Sequence, residues 1–235
     1  MKIGIMQPYF LPYLGHFALI KHTDQWIVFD TPQFMRRGWI DRNRILKPNM
    51  EGWQYIMVPL EKMPVATPIK NMKIRANEPW QKKIFSQLVH YKKKAPYFKT
   101  VIGLLESGLE LSGNSITMLN VRLLKIICDY LGIPFNYALF SEMNITCAGC
   151  EPDDWALEIC KALAADTYYN PPGGMEFYDR QKFERAGINL KFFKINLQPY
   201  TQLGQPFEPG LSIIDAMMFN SIEEINKMLD NYVLL

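Results

Sequence analysis

Residues 1–30 read MKIGIMQPYFLPYLGHFALIKHTDQWIVFD, and their order decides the fold class. Lys2 to Met6 is a short apolar run of strand length, and Trp26 to Phe29 is another. Between them Gly15 to His22 fits a helix of two to three turns. Two strands with a helix between them form a crossover, the unit of a parallel sheet. Beyond it, Gln54 to Leu60 predicts a third strand, ended or confined to an edge by Pro59.

The pattern then turns helical. Residues 80–93, 96–109 and 115–131 predict three successive helices. Pro96 suits a first turn and Gly132 a helix end. Strands at Phe135 to Phe140, Thr167 to Tyr169 and Leu190 to Ile195 follow, alternating with helices at 152–165 and Asp179 to Ala186. A last helical region starts at Ser212, with a break near Asn220. The whole predicts one α/β domain over 1–235, a Rossmann-like, mostly parallel sheet with a helical insertion at about 80–131. In such sheets ligands sit at the carboxyl ends of strands. The loops 7–16, 30–44, 170–179 and 196–212 are expected there.

The chain has 235 residues, 49% hydrophobic and 21% charged, as an ordinary globular protein has. No apolar run has the length of a membrane span, and the N-terminus does not read as a signal peptide, so a cytoplasmic location is expected. Cys128 and Cys160 sit in apolar helical patterns and read as buried thiols. Cys147 and Cys150 form a lone CxxC with no histidine nearby. It reads as a Gly-containing turn before a helix, and no metal site is expected.

The net charge of +3 hides an asymmetry. Residues 1–100 hold 17 basic against 6 acidic side chains, and residues 101–235 hold 9 against 17. The basic half suits an anionic partner such as a nucleotide, a nucleotide sugar or a nucleic acid. Two solvated faces would give the same count.

Four stretches carry candidate chemistry. Gly15-His16 opens a helix whose free N–H groups suit phosphate, with Gln7 and Tyr13 in the loop before it. A plain helix start fits as well. Gly210 to Asp215 places Ser212 as helix cap and possible anion donor. In RRGWIDRNRI, the planar forks of Arg36, Arg37, Arg42 and Arg44 suit phosphate or carboxylate. Trp39 can stack on a base or sugar, and Asn43 can bind a hydroxyl. In YYNPPGGMEFYD, Gly173 and Gly174 allow a loop to wrap a ligand. Glu176 or Asp179 can act as a base toward an amine, and Asp179 equally as an N-cap.

Tyr13-Leu14-Gly15-His16 resembles the HxGH signature of nucleotidyltransferases and pantothenate synthetase, with Tyr13 at the first His position. The loop at Ser212 resembles the serine loop that closes on phosphate in cytidylyl- and adenylyltransferases. IMQPYFLPYLGHFALI, QFMRRGWIDRNRI, AADTYYNPPGGMEFYD followed by FERAGI, and PYTQ followed by LSIIDAMMFN together resemble the WbqC-like family, over essentially the whole chain. That family often has Tyr where this chain has His16, and Ser-Gly where it has Asn170-Pro171-Pro172. The resemblance implies a role in O-antigen or other surface-polysaccharide biosynthesis.

Together these readings imply an enzyme forming an amide, by acyl or aminoacyl transfer, on a nucleotide-linked amino sugar. Its acyl or amino-acid donor would be activated on ATP with magnesium, or delivered as a thioester, for instance on an acyl carrier. His16 and Ser212 would hold phosphate. The Arg36–Arg44 segment would hold the anionic donor or nucleotide sugar, and Glu176 or Asp179 would take the amine proton. A non-catalytic nucleotide-sugar or nucleic-acid binding protein is the alternative.

Overall fold

The computed structural model describes residues 1–48, 51–110, 113–147, 149–203 and 206–235. Ala148, inside the CxxC, and residues 204–205, in the 196–212 loop, lie outside the described residues.

The first strand, β1 (Lys2–Met6), runs through α1 (Leu14–Lys21) to β2 (Gln25–Val28), and the strands pair in parallel with Ile3 opposite Gln25. An antiparallel pair follows, β3 (Arg42–Leu46) with β4 (Trp53–Met57). The region predicted helical then supplies α2 (Trp80–Leu88), α3 (Phe98–Leu109) and α4 (Ile116–Leu131). Ser115 caps α4, and Gly132 closes it at φ 69°. The remaining elements are β5 (Tyr137–Leu139), α5 (Asp154–Ala162), β6 (Thr167–Asn170), α6 (Arg180–Arg185), β7 (Asn189–Ile195), α7 (Ile213–Phe219), α8 (Ile222–Leu229) and β8 (Tyr232–Leu234).

Six strands form the central sheet in the order β5-β2-β1-β6-β7-β8, all parallel except β8. The fold is therefore α/β with a mostly parallel sheet. The period-2 alternation of strands sorts side chains to two faces. Ile3, Ile5, Ile27 and Tyr168 pack with Ala156, Ile159 and Phe183 of α5 and α6. Trp26, Val28, Tyr169 and Phe193 pack with α1, α4, α7 and α8. Gly4 lies under the Trp26 ring, where any Cβ would stand 2.7 Å from it.

Two strands are additions to the sequence reading. β3 (RNRIL) reads as a basic loop because its inward positions include polar Asn43, whose buried amide donates to the Phe10 carbonyl at 3.0 Å. β8 is short and half exposed. The break expected near Asn220 is present between α7 and α8.

The loop between β1 and α1 is tied from two sides. Proline has no N–H, so such a loop leaves carbonyls to be satisfied from elsewhere. Asn120 of α4 donates to the Pro8 and Ile40 carbonyls, at 2.7 and 2.8 Å. Ser212 Oγ donates to Leu11 O at 2.7 Å, and Ile213 N–H to Pro12 O at 2.8 Å. Leu11 takes φ 43°, a conformation rare for leucine, and these bonds hold it there. The helical segment and the start of α7 thus both fix the loop that opens the site.

Candidate functional site

The sheet order reverses between β1 and β6: the chain builds outward from β1 to β2 and β5, then returns to lay β6 on the other side. Crevices outside the carboxyl ends of strands at such a point take ligands. A cavity of about 790 Å³ lies there. Strand ends supply Ile5, Met6, Gln7, Phe29, Ser141 and Asn170. The start of α5 adds Pro152 and Trp155, the loop before α6 adds Phe177 and Tyr178, and Tyr9 and Lys70 close the ring. Lys70 is the sole charged side chain among the described lining residues.

The wall near β6 is a hydrogen-bonded chain. Asn170 Nδ2 donates to the Tyr168 hydroxyl, which lies 3.2 Å from that of Tyr178. Gly174 packs directly on Asn170 Oδ1 and the Tyr178 ring, leaving no room for a Cβ. The wall near β2 is built on Asp30, 2% exposed. Its Oδ2 accepts the Ser141 hydroxyl at 2.7 Å and its Oδ1 the Ser141 N–H at 3.0 Å. Its backbone carbonyl accepts the Lys70 N–H at 2.8 Å. Cys150 also lines this cavity. It is joined to Cys147 by a disulfide, a link beyond the plain turn expected from the sequence.

A smaller cleft of about 210 Å³ shares Tyr9 with the large cavity. It gathers Tyr13, Trp39, Asn43 and Arg44, four residues singled out from the sequence, with Pro12 and Gly210. The Arg44 guanidinium lies over Trp39 at 5.6 Å and Trp53 at 5.1 Å, and donates to Gly210 O at 3.1 Å. Its Nε has no hydrogen-bond partner among the described residues. A cation between indole faces suits an anion such as phosphate or carboxylate. Burial pushes the Tyr9 and Tyr13 phenols above their ordinary range, so both stay neutral donors.

The other sequence candidates lie elsewhere. His16 is 3% exposed, packed between Tyr9 and Trp26 at ring distances of 5.6 and 5.0 Å. Burial lowers its pKa to about 3. The close approach that Gly15 permits is taken by the Tyr13 ring. Arg42 donates to Gly38 O at 3.2 Å and to Arg37 O, and stacks on Tyr55. Arg36 and Arg37 are exposed on the turn before β3. Ser212 is fully buried, bonded to Leu11 O while capping Ile214 N–H. Gly173 sits in a 3-10 turn, Glu176 is exposed, and Asp179 caps α6 through Gln181 N–H at 2.9 Å.

The model of the WbqC-like protein family matches residues 7–227. The chain belongs to the WbqC-like family. That family is associated with polysaccharide biosynthesis. The chain is also similar to the uncharacterized protein Rv1507c of Mycobacterium tuberculosis, 30% identical over 222 residues, which is 93% of each chain. No solved structure matches. The matched span of the WbqC-like model runs from Gln7, just after β1, into α8, and holds all the described lining residues of the two cavities except Ile5 and Met6.

The sequence reading passed over Tyr9, Asp30, Lys70, Ser141 and Trp155 as site residues. A usable signal was present: Asp30 and Ser141 each follow a strand of the parallel sheet within two residues. Among the described residues no three His, Cys, Asp or Glu side chains converge as metal ligands, and no helix is long and apolar enough to cross a membrane.

Proposed function

We propose that this protein transfers an acyl or aminoacyl group to the nitrogen of a nucleotide-linked amino sugar used for O-antigen or another surface polysaccharide. The observation that carries this reading is the junction of two unlike cavities at Tyr9. In the smaller, Arg44 meets the phosphates and Trp39 the base. The sugar then reaches past Tyr9 into the larger cavity, where Gln7 and Asn170 can bond its polar groups. Phe29, Phe140, Trp155 and Phe177 offer the apolar surface that an acyl donor needs.

His16 and Ser212 are committed to packing and to the loop. This favours a donor that arrives activated, as a thioester, over activation on ATP at those two residues. The test is to incubate the protein with uridine- or thymidine-diphosphate amino sugars and either acetyl-coenzyme A or a carboxylate with ATP and magnesium. An N-acylated sugar nucleotide with thiol release is expected from the first mixture. AMP release from the second would restore the adenylate route. Binding without product in both would favour a non-catalytic binding protein.

A further inference from the structure

We infer that Ser141 is an acyl-accepting nucleophile and that Asp30 holds its proton, a covalent relay on the floor of the large cavity. The inference rests on the acyl-transfer reading above. Amide formation needs a group that takes a proton, yet no Asp, Glu or His is among the described residues lining this cavity. A carboxylate is placed to act just behind this lining: Asp30, reached through the Ser141 hydroxyl at 2.7 Å.

Asp30 organises this wall by three bonds. One carboxylate oxygen fixes the Ser141 backbone, the other takes its hydroxyl, and the Asp30 carbonyl fixes Lys70. Both held residues line the cavity. Among the described residues Asp30 has no ion-pair partner, so its charge is directed at Ser141 rather than neutralised by a cation. Lys70 places positive charge on the same cavity, where an acyl transfer develops an oxyanion. Three other nucleophiles on this cavity are disfavoured. Cys150 is in a disulfide, and burial holds the Tyr9 and Tyr178 phenols protonated.

The chemistry balances. Ser141 Oγ bonds to the thioester carbonyl carbon and its proton passes to Asp30. The carbon–sulfur bond breaks, and the thiolate takes that proton and leaves as thiol. The sugar amine then bonds to the ester carbonyl carbon, the ester bond to Ser141 breaks, and the proton released by the amine returns to Ser141 through Asp30. Ser141 is the catalytic residue, and Asp30 positions it and carries the proton.

The test uses the whole protein and p-nitrophenyl acetate. One nitrophenolate per chain and one acetyl group on the peptide containing Ser141 are expected. Ser141→Ala should lose that acetyl group, and Asp30→Asn should slow its formation at least about 100-fold. In the Asp30→Asn background, Ser141→Cys should restore labelling, because a thiol ionises unaided near pH 8.5. The discriminating readout is the contrast: Asp30→Asn should slow labelling of Ser141 but leave labelling of the Ser141→Cys thiol unchanged, whereas a merely structural bond predicts the same Asp30→Asn effect on both, because p-nitrophenyl acetate acylates any accessible thiolate. Circular dichroism establishes that each variant is folded, and the cysteine variants keep the question open to test where Ser141→Ala does not fold. Acetyl groups only on lysines, or equal Ser141 labelling with and without the Asp30 carboxylate, would overturn the inference. An N-acylated sugar made without any acyl-Ser141 would overturn it and leave the proposed function standing.

Discussion

Ser212 Oγ lies 2.7 Å from the Leu11 carbonyl oxygen, so the last helical pair and the first loop of the chain are joined beside both cavities. The contact is buried, and the next residue repeats it through Ile213 N–H to Pro12 O. Ser212→Ala removes a buried donor and a helix cap, and should cost about 2 kcal/mol. The midpoint of urea unfolding checks this. A phosphate ligand held by Ser212 would instead make loss of binding the leading effect, with stability little changed.

His16 should be an acid-sensitive core residue. Folded, it stays neutral down to about pH 3 because burial disfavours its charged form. Unfolded, it gains a proton near the ordinary histidine pKa of about 6.5. Between those values the unfolded state binds the extra proton, so stability falls as pH falls. His16→Phe should flatten that decline by up to about 1.4 kcal/mol per pH unit, read from denaturation midpoints across pH 6.5 to 4.

Asp215 should be among the most sensitive positions for folding. Its fully buried carboxylate accepts hydrogen bonds from Tyr91 at 2.7 Å, Tyr200 at 2.8 Å and Gln202 at 2.9 Å. Tyr91 in turn accepts the Leu46 N–H, so one carboxylate ties α7 to β3 and to the loop before α7. Asp215→Ala leaves three donors, two of them buried, without their acceptor, and a loss of about 3 kcal/mol or more is expected. Equilibrium unfolding measures it. A loss under about 1 kcal/mol would show that the network relaxes.

Gly174→Ala should injure the site while sparing the core. The new methyl group would strike Asn170 Oδ1 and the Tyr178 ring, both on the cavity wall. Gly173→Ala, next to it, meets open space. Ligand affinity in the large cavity should fall at least about tenfold in the first variant, a loss of about 1.4 kcal/mol, and hold in the second. Calorimetric titration of the two variants makes the comparison.

The crossover from β1 to β2 was legible because apolar strands flank a helix-length segment with no competing pattern. The helical stretch was legible from spacing and from Pro96 and Gly132. β3 was not, because Asn43 puts a polar group where alternation expects an apolar one. Trp39, Asn43 and Arg44 could be picked out together because basic and aromatic residues are adjacent in sequence, and they line one cleft. Asp30, Ser141 and Asn170 were not, because 111 positions separate Asp30 from its serine and only the sheet order brings three strand ends together. Conspicuous residues proved ambiguous for a physical reason. Histidine, serine and aspartate at helix starts serve packing and capping as readily as ligands, and His16, Ser212 and Asp179 occupy such positions.

The central claim is that a nucleotide-linked amino sugar spans the two cavities across Tyr9. The most direct measurement is calorimetric titration of the protein, and of its Arg44→Ala and Asn170→Leu variants, with a panel of uridine- and thymidine-diphosphate amino sugars. The account predicts saturable binding of a panel member to the parent protein. Affinity should fall at least about tenfold in each variant and remain unchanged in Glu176→Ala. Binding indifferent to both cavity substitutions, or no binding of any panel member to folded protein, would contradict it.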